Sequence, residues 1–490
     1  MKIVGMVDDV EGGRLFEVVE RDEAGVVRPA AGSAKRFRGY DQGQSFLLPP
    51  SLDDWLSADH TARFVSEVVE DSLDLTAVYG SYQNATGAPP FDPRMMLKLM
   101  LYGYSIGVTS SREIERRCAT DVAFRWLSAN TAPDYRSLSR FRRRHLTALD
   151  DLFSQVLVLC AAAGLVKLGR VALDGTKLRA SASRHKAMSY DRMEARITDI
   201  EAQVAAMLAE AEAIDVAEDE EFGVDRRGDE LPGELATREG RLVKLREAKA
   251  ALEAEAAERA GVVAADRAAT AGKSDGEIEA AVTEAAESAV PKPTAQRSFT
   301  DPEARMMKTS DGFHYAYNAQ AVADEHSQVV IATHVTQAAT DVNQLLAMLA
   351  ATTTALDNAG IDQRPETVLA DAGYCSTSNL DDAQAGGHDV LIATGRLKHH
   401  EQIPDVPRGR IPNNATTRQR MARRLRTRKG RAAYARRKAI IEPVFGQMKV
   451  RQAAGHLRLR GLDGAHGEFT LHAICHNLRK LANHSRPATC

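Results

Sequence analysis

Cysteine is scarce: the 490 residues hold five, Cys118, Cys160, Cys375, Cys475 and Cys490. None forms a CxxC pair, which argues against a zinc site and fits a reducing, cytoplasmic compartment. Long apolar runs are missing too. No stretch of eighteen apolar residues occurs, so a transmembrane helix is excluded and no membrane partner is expected. The N-terminal MKIVGMVDDVEGG places acids where a signal peptide needs a basic and then an apolar stretch. Net charge is also nearly absent, at -3, so the average gives no support for a nucleic-acid binder. Aromatics make up only 5%, but 44% hydrophobic residues and 27% charged ones fit a helix-rich chain with a real core. At about 150 residues per domain, this length accommodates two to four domains.

The charge that is present is segregated. Thirteen Lys or Arg and no acid lie between Arg408 and Lys438, whereas Glu194 to Glu230 is mostly acidic. A basic surface able to neutralise phosphates is therefore hidden by the average; a solvated basic loop is the plainer reading of the same run.

Residues 1–45 lack periodicity and read as a loose arm. From about 46 to 160 the pattern is helical. SLDDWLSADHTARFVSEVVEDSL opens with a cap-like Ser51, and DPRMMLKLMLYGYSIG has Pro93 at a first helical position. SSREIERRCATDVAFRWL starts with a Ser110–Glu113 capping-box spacing. SLSRFRRRHLTAL gathers Arg140, Arg142, Arg143 and Arg144. Short helices with clustered Arg suit a helix-turn-helix-like module, although a helical bundle with a basic face has the same pattern.

At Gly169 the character changes. RVALDGTKLRASAS reads as a strand ending at Asp174-Gly175. Ile197, Ile200, Val204, Met207, Ala211 and Ile214 then mark a coiled-coil seam, and Leu235, Leu242, Leu245 and Leu252 a returning helix after the polar turn EDEEFGVDRRGDELPGE. Residues 193–295 thus form an inserted helical hairpin. FHYAYNAQAVAD and QVVIATHVTQ predict a β-hairpin about Glu325-His326-Ser327. A helix ending at Gly360, strands TVLA and DVLIA, a basic loop and a helix over about 432–452 complete a mixed α/β sheet domain.

Two acids follow apolar strand runs, Asp174 after VAL and Asp371 after VLA, each trailed by small residues. Functional groups in open α/β sheets gather beyond strand ends, although either Asp alone is more often a turn residue. The third candidate, Glu442, lies in YARRKAIIEPVFGQMKVR between Ile440, Ile441, Val444 and Phe445. Helical spacing gives it one face with Lys438, Phe445 and Lys449, predicting a half-buried carboxylate bracketed by cations. Converging carboxylates need cations between them, and an all-oxygen set suits two Mg²⁺ (or Mn²⁺) ions. Two ions about 3.5–4 Å apart polarise both oxygens of an in-line phosphoryl displacement.

Four blocks resemble bacterial insertion-sequence transposases with a DDE catalytic domain of ribonuclease H-like fold: DPRMMLKLMLYGYSIGVTSSREIERRC…FRWL…PDYRSLSRFR, VALDGTKLRASAS, VLADAGYCS and YARRKAIIEPVFGQMK. The resemblance spans roughly residues 45–480. Tyr434, Arg437, Glu442 and Lys449 match that family's Y-R-E-K motif in order. Four residues separate Arg437 from Glu442 where a common version has three, so Lys438 is an alternative to Arg437. The resemblance implies a ribonuclease H-like catalytic domain at 165–192 and 296–460, a helical DNA-binding domain at 46–160, and a C-terminal helix and tail at 461–490. It implies that Asp174, Asp371 and Glu442 hold the metal and cut and rejoin DNA at the element's terminal inverted repeats. Tyr434, Arg437 and Lys449 would contact phosphates near the cut.

Lys177 and Arg179, just past Asp174, are further phosphate candidates, and Arg112, Arg116, Arg140 and Arg143 are candidates for binding the element's ends. His456, His466, His472 and His476 near the C-terminus invite a metal reading, but GLDGAHGEFTLHAICHNLRKLA is expected instead as an amphipathic helix packed on the catalytic core. Synapsis of two DNA ends implies at least a homodimer on DNA, in the bacterial cytoplasm at the nucleoid. A nuclease of the same fold without strand transfer, or a DNA-binding remnant without catalysis, would share much of this pattern.

Overall fold

The structure, a computed structural model of the chain, describes residues 51–82, 89–182, 187–222, 233–271, 273–309, 311–395, 406 and 408–485. The expected arm at 1–45 and most of the polar turn of the insert lie outside the described residues. The chain divides into two compact units, Met1–Leu56 and Ser57–Cys490. In the first, residues 51–56 form tight turns, with Asp54 N donating to Ser51 O at 3.1 Å. Ser51 therefore does not open a helix.

Among the described residues, the second unit begins with seven α-helices, α1 (Thr61–Glu67), α2 (Thr76–Gly80), α3 (Pro93–Ser105), α4 (Ser111–Thr120), α5 (Val122–Leu127), α6 (Tyr135–Arg144) and α7 (Ala148–Ala162), with a π-helical turn at Val68–Ser72 after α1. Side chains that compete for backbone N–H groups set their starts. Asp92 accepts from Arg94 N ahead of Pro93, and Asp134 accepts from Arg136 N and Ser137 N. Asp121 accepts from Ala123 N and Phe124 N, splitting the single expected helix into α4 and α5. The capping box at Ser110 does not form. Glu113 turns instead to Arg116 and Arg117, 2.7 and 2.9 Å away.

Strand β1 (Arg170–Arg179) is followed by β2 (Ala187–Ser189). Among its described residues the insert then holds three helices, not a two-helix hairpin: α8 (Tyr190–Phe222), α9 (Gly233–Thr270) and α10 (Asp275–Glu287). Met193, Ile200, Leu242, Leu245 and Leu252 form its core, with Ile197 and Val204 packed against it. The side chains of Met207, Ala211, Ile214 and Leu235 lie outside the described set. β3 (Gln296–Ser298) pairs antiparallel with β2, tying the two ends of the insert together.

After it come β4 (Arg305–Thr309), β5 (Gly312–Asp324), β6 (Val330–Thr336), α11 (Leu345–Asn358), β7 (Thr367–Ala370), α12 (Thr377–Ala385) and β8 (Val390–Ile392). The main sheet runs β4-β5-β1-β7-β8, with β6 also on β5. β5 is antiparallel to β1, β4 and β6, while β7 and β8 run parallel to β1. An antiparallel meander extended by parallel strands across β1 is the ribonuclease H-like arrangement, and the expected β5–β6 hairpin is present. β1 continues five residues beyond Asp174, because its partner β5 is long enough to pair as far as Arg179.

The basic stretch expected as a loop contains a helix, α13 (Thr417–Arg426), opened by a Thr416–Gln419 capping box. Thr427 then caps α14 (Arg428–Arg451). Last comes α15 (Leu462–Ser485), buried almost continuously from Gly464 to Leu478. It is a core helix, not an amphipathic one, and it packs against α7, α3 and β6. Its Glu468 accepts from Tyr104 Oη at 3.0 Å and from Arg458 N and Leu459 N, while Arg142 of α6 donates to Thr109 O at 3.0 Å and to the same Tyr104 hydroxyl. Arg142 therefore leaves the basic cluster expected on α6 and binds the helical bundle to the core.

Candidate active site

The sheet register brings the two aspartates together. Val171 pairs with Val368 and Ala172 with Leu369, so two residues further on Asp174 stands level with Asp371. β7 has ended by then, and Asp371 turns out of the sheet, accepting from Gly373 N at 2.7 Å. Asp174 stays in β1 and is mostly buried. Burial raises its pKa; the Arg437 cation and the Gly175 N–H offset part of the shift, and the Asp371 charge adds to it.

Arg437 comes from α14. Its neighbours Ile440, Ile441, Val444, Phe445 and Met448 form the buried stripe of that helix, and Arg437 lies on the stripe itself. Its Nη1 donates to Asp174 Oδ2 at 2.8 Å, and its Nη2 lies 3.9 Å from Glu442 Oε1. Glu442 is not on a half-buried face. Its side chain is 55% exposed, because the apolar residues around it occupy the opposite side of the helix, and of its expected face only Phe445 is buried. Lys438 is exposed with it. Tyr434, one turn before Lys438, faces Arg437, Asp371 and Asp174, and burial raises its phenol pKa. Lys449 Nζ donates to Thr176 Oγ1, two residues past Asp174.

On the other face of β1 lies a polar shelf that the sequence reading did not single out. Asp341, between β6 and α11, accepts on Oδ1 from Asn318 at 2.7 Å, Gln320 at 2.8 Å and Lys177 at 3.3 Å. Asn318 and Gln320 are fully buried. Gln320 also accepts from the buried Tyr374 hydroxyl. Burial drives that phenol far above its ordinary pKa, and the charges of Asp341, Asp174 and Asp371 add to the shift. Three aspartates thus surround one phenol. The available signal was two amides spaced two apart in the apolar run FHYAYNAQAVAD, where a buried strand face has no ordinary use for polar groups.

Two family models match the chain: Transposase domain (DUF772) over residues 50–144 and Transposase DDE domain over residues 287–478. Together these stretches cover more than half of its length. The chain belongs to the DDE transposases. No curated protein and no solved structure matches it. The DDE-domain match begins at residue 287, near the end of the insert and well after β1, so Asp174 of this transposase enters the site through the β1–β7 register and not through that match.

The remaining candidates are scattered over the transposase. Arg179 pairs with Asp311. Arg112 stacks over the Tyr135 ring at 4.8 Å, and Arg116 pairs with Glu113. Arg140 and Arg143 are exposed on α6. His472 and His476 are buried in α15, with burial lowering their pKa to about 3 and about 4, while His456 contacts Ala180 O. None of these histidines faces the acids.

DDE transposases use divalent metal ions. Among the described residues no three acidic, His or Cys side chains stand close enough to hold an ion as they are. The donor chemistry nevertheless fits one. Every candidate ligand is a carboxylate, and a guanidinium, itself a cation, already lies between Asp174 and Glu442. Its Nε is buried without a partner, so the pair is incompletely satisfied. No single described helix is long and apolar enough to cross a membrane.

Proposed function

We propose that this transposase cleaves DNA at the terminal inverted repeats of an insertion sequence and joins the freed end to a target, using Asp174, Asp371 and Glu442. The observation that carries the reading is the level placement of Asp174 and Asp371, with Arg437 connecting Asp174 to Glu442. Two Mg²⁺ or Mn²⁺ ions held by these acids would supply Lewis-acid activation of the attacking and leaving oxygens. Asp174, fixed in β1, sets the position of the site; Asp371 and Glu442 each complete one side.

Arg437 gives up Asp174 and Glu442 when DNA enters and, with Tyr434, Lys438 and Lys449, holds phosphates flanking the cut. Lys177 and Arg179 meet the backbone from β1. Arg112, Arg116, Arg140 and Arg143 bind the double-stranded ends, and a groove of about 610 Å³ lined by Arg143, Arg458 and Arg460 supports a DNA path from α6 toward the sheet. First a water attacks the phosphorus at the element's end, breaking its bond to the 3′-oxygen and leaving a 3′-hydroxyl and a 5′-phosphate; that hydroxyl then attacks a target phosphodiester and displaces the target strand's own 3′-oxygen. Two ends require at least a homodimer on DNA, and the setting is the bacterial cytoplasm.

Labelled duplexes carrying the element's ends, incubated with Mg²⁺, Mn²⁺ or EDTA, test the reading. Metal-dependent cutting at the repeat boundary plus joined products supports it. Cutting without joining leaves a nuclease, and binding without cutting leaves a DNA-binding remnant.

A further inference from the structure

We propose that Asp341 is a positioning residue of this active site, acting through Lys177; the proposal rests on the DNA-cleaving reading above. An exposed Lys–Asp pair is free to swing and contributes little. Here the carboxylate is fixed before the lysine arrives. Oδ1 accepts two hydrogen bonds from Asn318 and Gln320, side chains with no exposed surface, anchored in the central strand β5. Lys177 then reaches the same oxygen, and at 19% exposure its ammonium has little room to move.

The chain leaves space for this arrangement directly after Asp174. A Cβ on Gly175, directly after Asp174, would lie 2.3 Å from Gln320 Nε2 and 2.8 Å from Asp341 Oδ1. A Cβ on Gly373, two after Asp371, would lie 2.9 Å from Asp371 Oδ1 and 3.6 Å from Asp341 Oδ2. Asp341 thus occupies the volume that Gly175 leaves beside Asp174, while at Gly373 the tight neighbour is Asp371 itself and Asp341 lies at ordinary contact distance. Its charge holds the Lys177 cation on the face of β1 opposite Asp174, beside the Gly373 turn that follows Asp371, for the DNA backbone on that side of the cut. A cation fixed before the substrate arrives costs no reorganisation during reaction.

Single-turnover cleavage of pre-bound DNA tests this, alongside the dissociation constant measured in EDTA. Asp341→Asn keeps the acceptor for Asn318 and Gln320 but removes the charge. The expected result is a cleavage rate lower by about 10- to 100-fold, with DNA affinity changed less than about 3-fold and an unchanged melting temperature. Lys177→Met slows cleavage comparably, and the double variant is no slower than Lys177→Met alone. Where Asp341→Asn does not fold, Asp341→Glu, which moves the charge by one methylene, replaces it in the same cycle. Multiplying losses, or wild-type cleavage by the Asp341 variant, overturn the proposal. Wild-type protein that cuts no DNA in either metal removes the parent reading and this role with it.

Discussion

Arg437 and Asp174 form an ion pair inside the candidate active site, Nη1 to Oδ2 at 2.8 Å, and the same guanidinium reaches toward Glu442 at 3.9 Å. One arginine therefore balances a strand acid and a helix acid, the two that the proposed reaction needs free. Residues matched to a DNA-contacting motif begin, in this structure, as internal counter-charges.

Removing that counter-charge leaves a mostly buried carboxylate alone, which costs about 3 kcal/mol. Arg437→Gln is expected to lower unfolding stability by that order in urea titrations at pH 7. Added Mn²⁺ restores part of it, since the metal replaces the guanidinium beside Asp174. Equal stabilisation of both proteins by Mn²⁺ would separate Arg437 from the metal site.

Glu442 behaves differently, because its side chain is 55% exposed. Glu442→Gln is expected to change stability by no more than about 0.5 kcal/mol, yet to lower cleavage at least about 1,000-fold. Calorimetry and a cleavage assay on one preparation check both halves. Full activity in Mg²⁺ would remove Glu442 from the site.

Gly175→Ala inserts a Cβ 2.3 Å from Gln320 Nε2 and 3.0 Å from Asn318 Oδ1. Overpacking of this kind costs about 1–3 kcal/mol and displaces Asp174 with its strand. Lower melting temperature and slower cleavage should appear together; a fully active, equally stable variant contradicts the shelf geometry.

Acid should destabilise the fold through three buried histidines. Burial lowers the pKa of His145 to about 4, His472 to about 3 and His476 to about 4, from an ordinary 6.5. The unfolded chain takes up protons first as pH falls, so this stability is complete above about 6.5 and is lost as pH falls toward 4 and 3. The loss approaches about 1.4 kcal/mol per pH unit for each histidine. Urea midpoints at pH 7 and pH 5 measure it, and the fall should be shallower in His472→Gln. A slope unchanged by that substitution would contradict the assignment.

Asp174 and Asp371 were legible because each follows a short apolar strand run and precedes a small residue, a pattern fixed by the local chain. The β5–β6 hairpin and α14 were legible for the same reason. What failed depended on neighbours distant in sequence. The continuation of β1 to Arg179 is set by the length of β5, and the exposure of Glu442 by which side of α14 meets the sheet. Arg142 read as one more cation on α6 because its partner, the Tyr104–Glu468 pair, joins helices 364 residues apart in sequence. Helix α13 was hidden by its charge, since its single buried residue, Met421, offers no periodic signal. Asp341 carried no motif at all; only the burial of Asn318 and Gln320 reveals it.

The central claim is that the paired strand acids carry metal-dependent DNA cleavage. The most direct measurement is cleavage of terminal-repeat duplexes in Mg²⁺ by wild-type protein and Asp371→Asn, at equal DNA occupancy. Wild-type cutting at the repeat boundary, lost in Asp371→Asn and absent in EDTA, is the expected result. Equal cutting by the two proteins would contradict the claim.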